Sequence, residues 1–95
     1  MPRYAFLTIG FEKPTPDIMS KWSDWFAEIQ DHIVEQIGLF GGREISADGV
    51  SDLKMDADAV TGVMIIEAAD REEAERLASS NPYITSIRVY ETMAD

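Results

Sequence analysis

His32 is the only histidine of the sequence and the side chain best suited to acid–base chemistry near neutral pH. It follows Ile29 by three positions, so it lies on the flank of an apolar helical stripe. A histidine placed in this way is either a catalytic general acid or base, or a boundary residue of a helix. The chain has no cysteine, which excludes disulfides, thiolate zinc sites and a cysteine nucleophile.

Arg88 and Tyr90 alternate with two apolar residues near the C-terminus, so they share one face of a predicted strand. If the apolar pair faces the core, Arg88 points to the other side of the sheet and needs an anion there. That anion is either a protein carboxylate across an interface, such as Glu67 or Glu91, or the carboxylate of a ligand. Two residues of the first strand could join either role: Tyr4 and Thr8.

Trp22 and Trp25 are the aromatic candidates for a binding site. Their helical spacing would let them line a pocket between a helix and a sheet, and the same spacing would let them pack in the core. We predict a site for a small anionic or aromatic ligand that combines these two side chains with three others: Tyr83, Arg88 and Tyr90.

Metal and cofactor motifs are absent from the sequence. Its aspartate-rich stretch does not have the alternating spacing and central glycine of a calcium loop. Gly38, Gly41 and Gly42 match neither a dinucleotide-binding nor a phosphate-binding loop. We therefore expect no metal and no cofactor, and we interpret residues 47–59 as a solvated loop.

Composition restricts the partners further. The 95 residues suit one domain, expected to span 1–95, and the formal net charge of −10 disfavours nucleic acid and anionic membranes as partners. The apolar runs are too short to cross a bilayer, and the N-terminus does not have the pattern of a signal peptide, so we expect a cytoplasmic protein.

The periodicity of apolar residues predicts four strands and two helices. Thr15 and Pro16 begin a helix whose stripe continues at steps of three and four to Ile37, with Gly38 as its cap. Asp70 begins the second helix, and Asn81-Pro82 ends it. The strands are predicted at residues 4–9, 43–46, 60–68 and 84–91.

This order, β-α-β-β-α-β, is typical of a ferredoxin-like α+β fold with a four-stranded antiparallel sheet and both helices on one face. Several strands carry apolar residues on both sides, so the face without helices would expose an apolar patch. Two such sheets packed face to face would cover it, which predicts a homodimer with a dimeric α/β barrel.

The chain also resembles the YCII-related proteins along nearly its whole length. The matching segments are Tyr4-Ala5-Phe6-Leu7-Thr8-Ile9-Gly10, Trp22 and Trp25, Gly41-Gly42-Arg43-Glu44-Ile45, Thr61-Gly62-Val63-Met64-Ile65-Ile66-Glu67-Ala68, Glu73-Ala74, and Asn81-Pro82-Tyr83 with Ile87-Arg88-Val89-Tyr90. The resemblance implies the dimeric α/β-barrel fold and, in one branch of the family, a catalytic dyad of histidine and aspartate. Here Asn81 replaces that aspartate and His32 lies later in the helix than that histidine would, so the dyad is not transferred.

Three functions remain open from the sequence. The first is a homodimeric small-molecule binding or accessory protein without catalysis. The second is a cofactor-independent enzyme acting on a small aromatic or lactone-like substrate, with His32 as acid or base and Arg88 holding a substrate anion. The third is a structural or interaction module whose only ligand is another protein chain.

Overall fold

Four strands of the chain form one antiparallel sheet, with both helices packed on one of its faces. The computed structural model describes residues 1–93 of the 95. The elements are β1 (Arg3–Ile9), α1 (Pro16–Ile29), a 3₁₀ turn (Gln30–His32), β2 (Ile33–Gly38), β3 (Arg43–Ser46), β4 (Gly49–Asp52), β5 (Val60–Glu67), α2 (Arg71–Ser79) and β6 (Ser86–Glu91). The sheet order is β2-β5-β1-β6, which confirms the predicted ferredoxin-like α+β fold.

The first helix is shorter than the sequence pattern predicts. It ends at Ile29, and the prediction that it continues to Ile37 is wrong, because Ile33–Gly38 is strand β2. A step of four residues fits both the helical period of 3.6 and the strand period of 2, so Ile33 and Ile37 do not distinguish the two. A bulge after Ile33 then turns the two isoleucines to opposite faces of the sheet.

The second strand of the sheet was also predicted in the wrong place. Residues 43–46 do form a strand, but β3 pairs with β4 in a separate two-stranded hairpin and not with the sheet. The interpretation of residues 47–59 as a loop is therefore partly wrong, because β4 lies within it. Strand β2 takes the place beside β5 that was expected for residues 43–46.

The hairpin projects from the rest of the chain. We call residues 39–58 the arm, and every one of them is exposed. Phe40 and Ile45 of the arm are 88% and 80% exposed, far more than apolar side chains usually are. The radius of gyration is 14.4 Å, whereas a compact chain of this size has one of about 13 Å. An isolated two-stranded hairpin is marginally stable in water, so the arm is the least supported part of the fold.

The core lies between the helices and one face of the sheet. Phe6, Trp25, Ile29 and Ile66 are its largest fully buried side chains. Trp25 also donates its indole N–H to the carbonyl of Leu77 at 3.1 Å, which fastens α1 to α2. The hydrogen bond satisfies a polar group that burial would otherwise make costly.

The opposite face of the sheet has no helix against it. We call it the open face, and strand register assigns to it the side chains of Arg3, Ala5, Leu7, Glu35, Ile37, Val63, Ile65, Glu67, Arg88 and Tyr90. Its central apolar residues are half-buried, and Tyr90 and Ile37 are 53% and 50% exposed.

Both helices begin at side-chain caps that the sequence predicts. The Thr15 hydroxyl accepts a hydrogen bond from the Ile18 N–H at 3.2 Å, and the Asp70 carboxylate accepts one from the Glu73 N–H at 2.8 Å. The Glu73 carboxylate accepts from the N–H of Ala69, one residue earlier than in a standard capping box.

We expect Gly10→Ala to lower the free energy of unfolding by roughly 3 kcal/mol, as measured by urea denaturation. Gly10 has a φ of 109°, and an added Cβ would lie 2.5 Å from the hydroxyl and 2.9 Å from the backbone nitrogen of Thr85. The control is Gly41→Ala, where φ is also positive, at 66°, but no atom lies within 4 Å of the added Cβ. That variant should lose only about 1 kcal/mol, and equal losses would contradict the role of the close approach.

Candidate functional site

A cavity opens between α1 and the sheet, and we call it the α1 cavity. It consists of two adjoining hollows of about 340 and 490 Å³ that share Trp22, Phe26 and Thr61. The inner hollow reaches the sheet at Thr8, Gln36 and Met64. The outer hollow is bordered mostly by apolar residues, together with the polar side chains of Glu12 and Ser23; the apolar ones are Phe11, Pro14, Ile18, Met19 and Ile84. Mostly apolar walls with a few polar groups are typical of small-molecule sites.

Two threonine hydroxyls supply the polar part of the inner hollow. Thr8 Oγ1 and Thr61 Oγ1 are 3.1 Å apart, and Thr61 Oγ1 also lies 3.3 Å from the carbonyl oxygen of Thr8. Thr8 is 6% exposed, so its hydroxyl is placed in a largely dry environment. A hydroxyl both donates and accepts, so this pair can bond to either a hydroxyl or a carbonyl of a ligand.

A β-bulge brings Thr61 to this place. Thr8 pairs with Gly62 and Ile9 pairs with Val60, which leaves Thr61 as the extra residue of β5. Gly62 matters for the same geometry, because a Cβ there would lie 3.0 Å from Thr8 Oγ1. A glycine inside a strand pattern is a signal for a bulge, so Thr61-Gly62 could have marked the site in the sequence.

The structure distributes the six predicted site residues over several regions. Trp22 lines the α1 cavity, whereas Trp25 is 2% exposed and lies in the core. Tyr83 borders a different hollow, between α2 and β6. Arg88 and Tyr90 lie on the open face, across the sheet from both helices. Phe26, Gln36 and Thr61 line the cavity but were not among the predicted residues.

His32 lies at the far end of the sheet from the α1 cavity. Its Nδ1 is 2.8 Å from the carbonyl oxygen of Glu67, so with a proton on Nδ1 it donates a hydrogen bond that holds the 3₁₀ turn to the end of β5. Glu67 is five residues along β5 from Gly62, a distance of about 17 Å. The structure thus gives His32 a backbone partner and places it away from the hydroxyl pair.

Asn81 occupies the position where the family resemblance would place a catalytic aspartate. Its side chain is 4% exposed, and neither amide atom has a hydrogen-bond partner among residues 1–93. An amide cannot accept a proton as a base at neutral pH, and burial without partners costs folding free energy.

Tyr4 is a core residue, and its surroundings disfavour the ionised form of its phenol. Burial raises the pKa of its phenol above the usual 10.0, and the nearby carboxylates of Glu91 and Asp70 raise it further, against a smaller opposite effect of Arg71. The phenol therefore stays neutral near pH 7 and does not serve as a base there.

The described part of the chain shows neither a metal-binding cluster nor a membrane-spanning helix. Within residues 1–93, no group of three or more histidine, aspartate or glutamate side chains is arranged to hold a metal ion. Neither α1 nor α2, the two helices of this part, is long and apolar enough to span a bilayer.

Comparison with known proteins shows that this chain is similar in fold to a solved structure. No protein-family model and no curated protein matches the sequence. Among solved structures, the chain is similar to 5-chloro-2-hydroxyhydroquinone dehydrochlorinase (TftG) from Burkholderia phenoliruptrix AC1100 in complex with 2,5-dihydroxybenzoquinone. The two are 12% identical over 98% of this chain and 95% of that chain, with a TM-score of 0.62. At this identity the likeness concerns the fold and not the activity.

We expect His32→Ala to lower the free energy of unfolding by about 1 kcal/mol, because the carbonyl of Glu67 loses its partner. Asp31→Ala is the matched control, since Asp31 is exposed in the same 3₁₀ turn, and it should change stability by less than about 0.5 kcal/mol. Equal stability of the two variants would contradict a structural role for the His32 side chain.

We expect stability to fall at alkaline pH through Tyr4. Its pKa is raised in the folded state, so its contribution is complete below the usual 10.0 and is lost as pH rises through the folded value. Urea denaturation between about pH 9 and about pH 11 should show a smaller loss for Tyr4→Phe than for the unmodified protein. Tyr83→Phe is the control because Tyr83 is 48% exposed and lies away from the open face, and an alkaline loss unchanged in Tyr4→Phe would refute the assignment.

Proposed function

We propose that this chain is a small-molecule-binding protein that acts as a homodimer and holds its ligand in the α1 cavity. The observation that carries the proposal is the Thr8–Thr61 hydroxyl pair in a hollow whose other walls, apart from Gln36, are apolar. Two hydroxyls in a dry, apolar surrounding are the arrangement that orients a ligand by its polar substituent.

The lining of the cavity favours a neutral aromatic ligand. Trp22 and Phe26, whose ring centroids are 5.7 Å apart, offer faces and edges to a flat ring. The side chains of Thr8, Thr61 and Gln36 can bond to oxygen substituents of that ring. No lysine or arginine is among the described residues that line either hollow, so an anion would find no countercharge there. The structurally similar dehydrochlorinase was solved with 2,5-dihydroxybenzoquinone, a small ring of this kind.

Binding is better supported than acid–base catalysis. The described side chains around the inner hollow include no group that titrates near neutral pH. His32, the acid or base of the enzyme hypothesis, lies about 17 Å along the sheet. A ligand could therefore be held at the hydroxyl pair without a general acid or base beside it.

The homodimer is proposed from the open face and the arm. Both present apolar side chains to solvent, and such surfaces on a small domain usually become interfaces. We also propose that the chain is a distant YCII-related protein, which is supported by the residues that resemble that family and by the ferredoxin-like fold. An interaction module without a small-molecule ligand is less favoured, because the α1 cavity offers space in which a small ligand could bind.

We expect saturable binding of uncharged hydroquinones or 1,4-naphthoquinone, measured by isothermal titration calorimetry. Thr8→Val keeps the shape of the side chain and removes one hydroxyl, so the Kd should rise by roughly five- to tenfold. The matched control is Thr92→Val, because the hydroxyl of Thr92 donates to the carbonyl of Arg3 outside the α1 cavity.

Two outcomes would contradict the ligand proposal. One is that neither class of compound binds to the folded protein at millimolar concentration. The other is that Thr8→Val and Thr92→Val bind equally well, which would place the ligand elsewhere. In this second case, a Kd that changes in Arg88→Gln would assign the ligand to the open face instead.

A further inference from the structure

Two charged residues lie at opposite edges of the open face. Glu35 is on β2 beside Ile65, and Arg88 is on β6 beside Leu7. Within residues 1–93 neither of them forms an ion pair, whereas the remaining charged pair on this face, Arg3 and Glu67, is joined at 3.5 Å. Glu91, another carboxylate near Arg88 in sequence, already pairs with Arg71 at 2.8 Å.

Glu35 and Arg88 cannot reach each other within one chain. The order β2-β5-β1-β6 puts three strand intervals between them, about 14 Å, and their rows of side chains are offset by about 7 Å along the strands, so their Cα atoms are about 16 Å apart. The strands between them present half-buried apolar side chains on this face: Ala5, Leu7, Val63 and Ile65. The open face therefore has an apolar centre with an acid at one edge and a base at the other.

We propose that a second copy of this chain covers the open face with its two-fold axis parallel to the strands, so that Glu35 of each copy meets the partner's Arg88. The inference rests on the homodimer proposed above and adds to it the orientation of the two sheets and the pair that fixes it.

The charges distinguish between the two simple ways of stacking identical sheets. With the axis parallel to the strands, β2 of one copy lies over β6 of the other, and each acid faces a base. With the axis across the strands, β2 lies over β2 and β6 over β6, so that two glutamates meet and two arginines meet. Like charges brought together at an interface disfavour an arrangement, so the first orientation is selected.

The distances are compatible with a direct pair. Packed sheets are about 10 Å apart, and Arg88 and Glu35 lie in neighbouring rows of side chains, offset by about 7 Å along the strands. Their Cα atoms would then be about 12 Å apart, a span that extended arginine and glutamate side chains cover together. The symmetry gives two such pairs, one at each edge of the apolar centre.

The experiment is a charge swap read by sedimentation equilibrium. We expect the unmodified chain to be a dimer, and Arg88→Glu and Glu35→Arg to raise its dimer Kd by about tenfold or more each. The double variant, Arg88→Glu with Glu35→Arg, restores the attraction with its direction reversed, so its Kd should return to within about threefold of the unmodified value. Lys21→Glu, an exposed reversal on α1 with the same change in net charge as Arg88→Glu, should leave the Kd unchanged.

Each result supports or overturns the proposal. Weakening in both single variants with recovery in the double variant supports it, and circular dichroism of the double variant shows that the fold tolerates the swap. Single variants that dimerise like Lys21→Glu, or a double variant no tighter than the singles, overturn the proposed orientation while the homodimer stands. An unmodified chain that is monomeric at all concentrations overturns both.

Discussion

The antiparallel pairing of β1 with β5 is the interaction on which the rest of the structure depends. These two strands are the centre of the sheet, and each contributes buried residues to the helix side and half-buried residues to the open face. Phe6 lies beside Met64 in this pairing, under the helices, and Leu7 lies beside Val63 on the opposite side. One backbone ladder thereby sets both the core and the surface that we assign to the dimer.

The candidate site lies where a β-bulge interrupts the regular pairing of β1 with β5. The bulge near its end turns Thr61 toward Thr8, and the absence of a side chain at Gly62 leaves room for the two hydroxyls. A regular pairing would have alternated the side chains without a break, so Thr8 and Thr61 would have pointed to opposite faces. The bulge is thus the feature of the fold that forms the candidate site.

Much of the fold follows from patterns that are local in sequence. The caps at Thr15 and Asp70, the alternation of β1 and the apolar run of β5 have short-range causes, so they predict the elements correctly. The end of α1 cannot be predicted from local patterns, because the spacing of Ile33 and Ile37 fits both a helix and a strand. The pairing of residues 33–38 with β5, a contact distant in sequence, makes this segment a strand. The fold class was nonetheless correct, since β2 occupies the place in the sheet that was assigned to residues 43–46.

The candidate site was harder to predict than the fold. Trp22 and Trp25 were both predicted as ligand contacts because they are aromatic. Trp22 lines the cavity, whereas Trp25 is buried in the core. Helical spacing alone does not distinguish a residue at the margin of a helix–sheet contact from one at its centre. Gln36 could not be placed in the cavity while residues 33–37 were interpreted as helix.

The order of the strands has a consequence for how the chain acquires its structure during synthesis. Strand β1 is made first, but both of its neighbours, β5 and β6, belong to the second half of the chain. Until residue 67 has left the ribosome, the apolar segment of β1 has no strand to pair with. Pairings between such distant segments are slow to form, and they leave apolar strands exposed to association while they wait. Within residues 1–93, only the hairpin of β3 and β4, whose strands pair with each other, can form its β-structure as soon as it emerges.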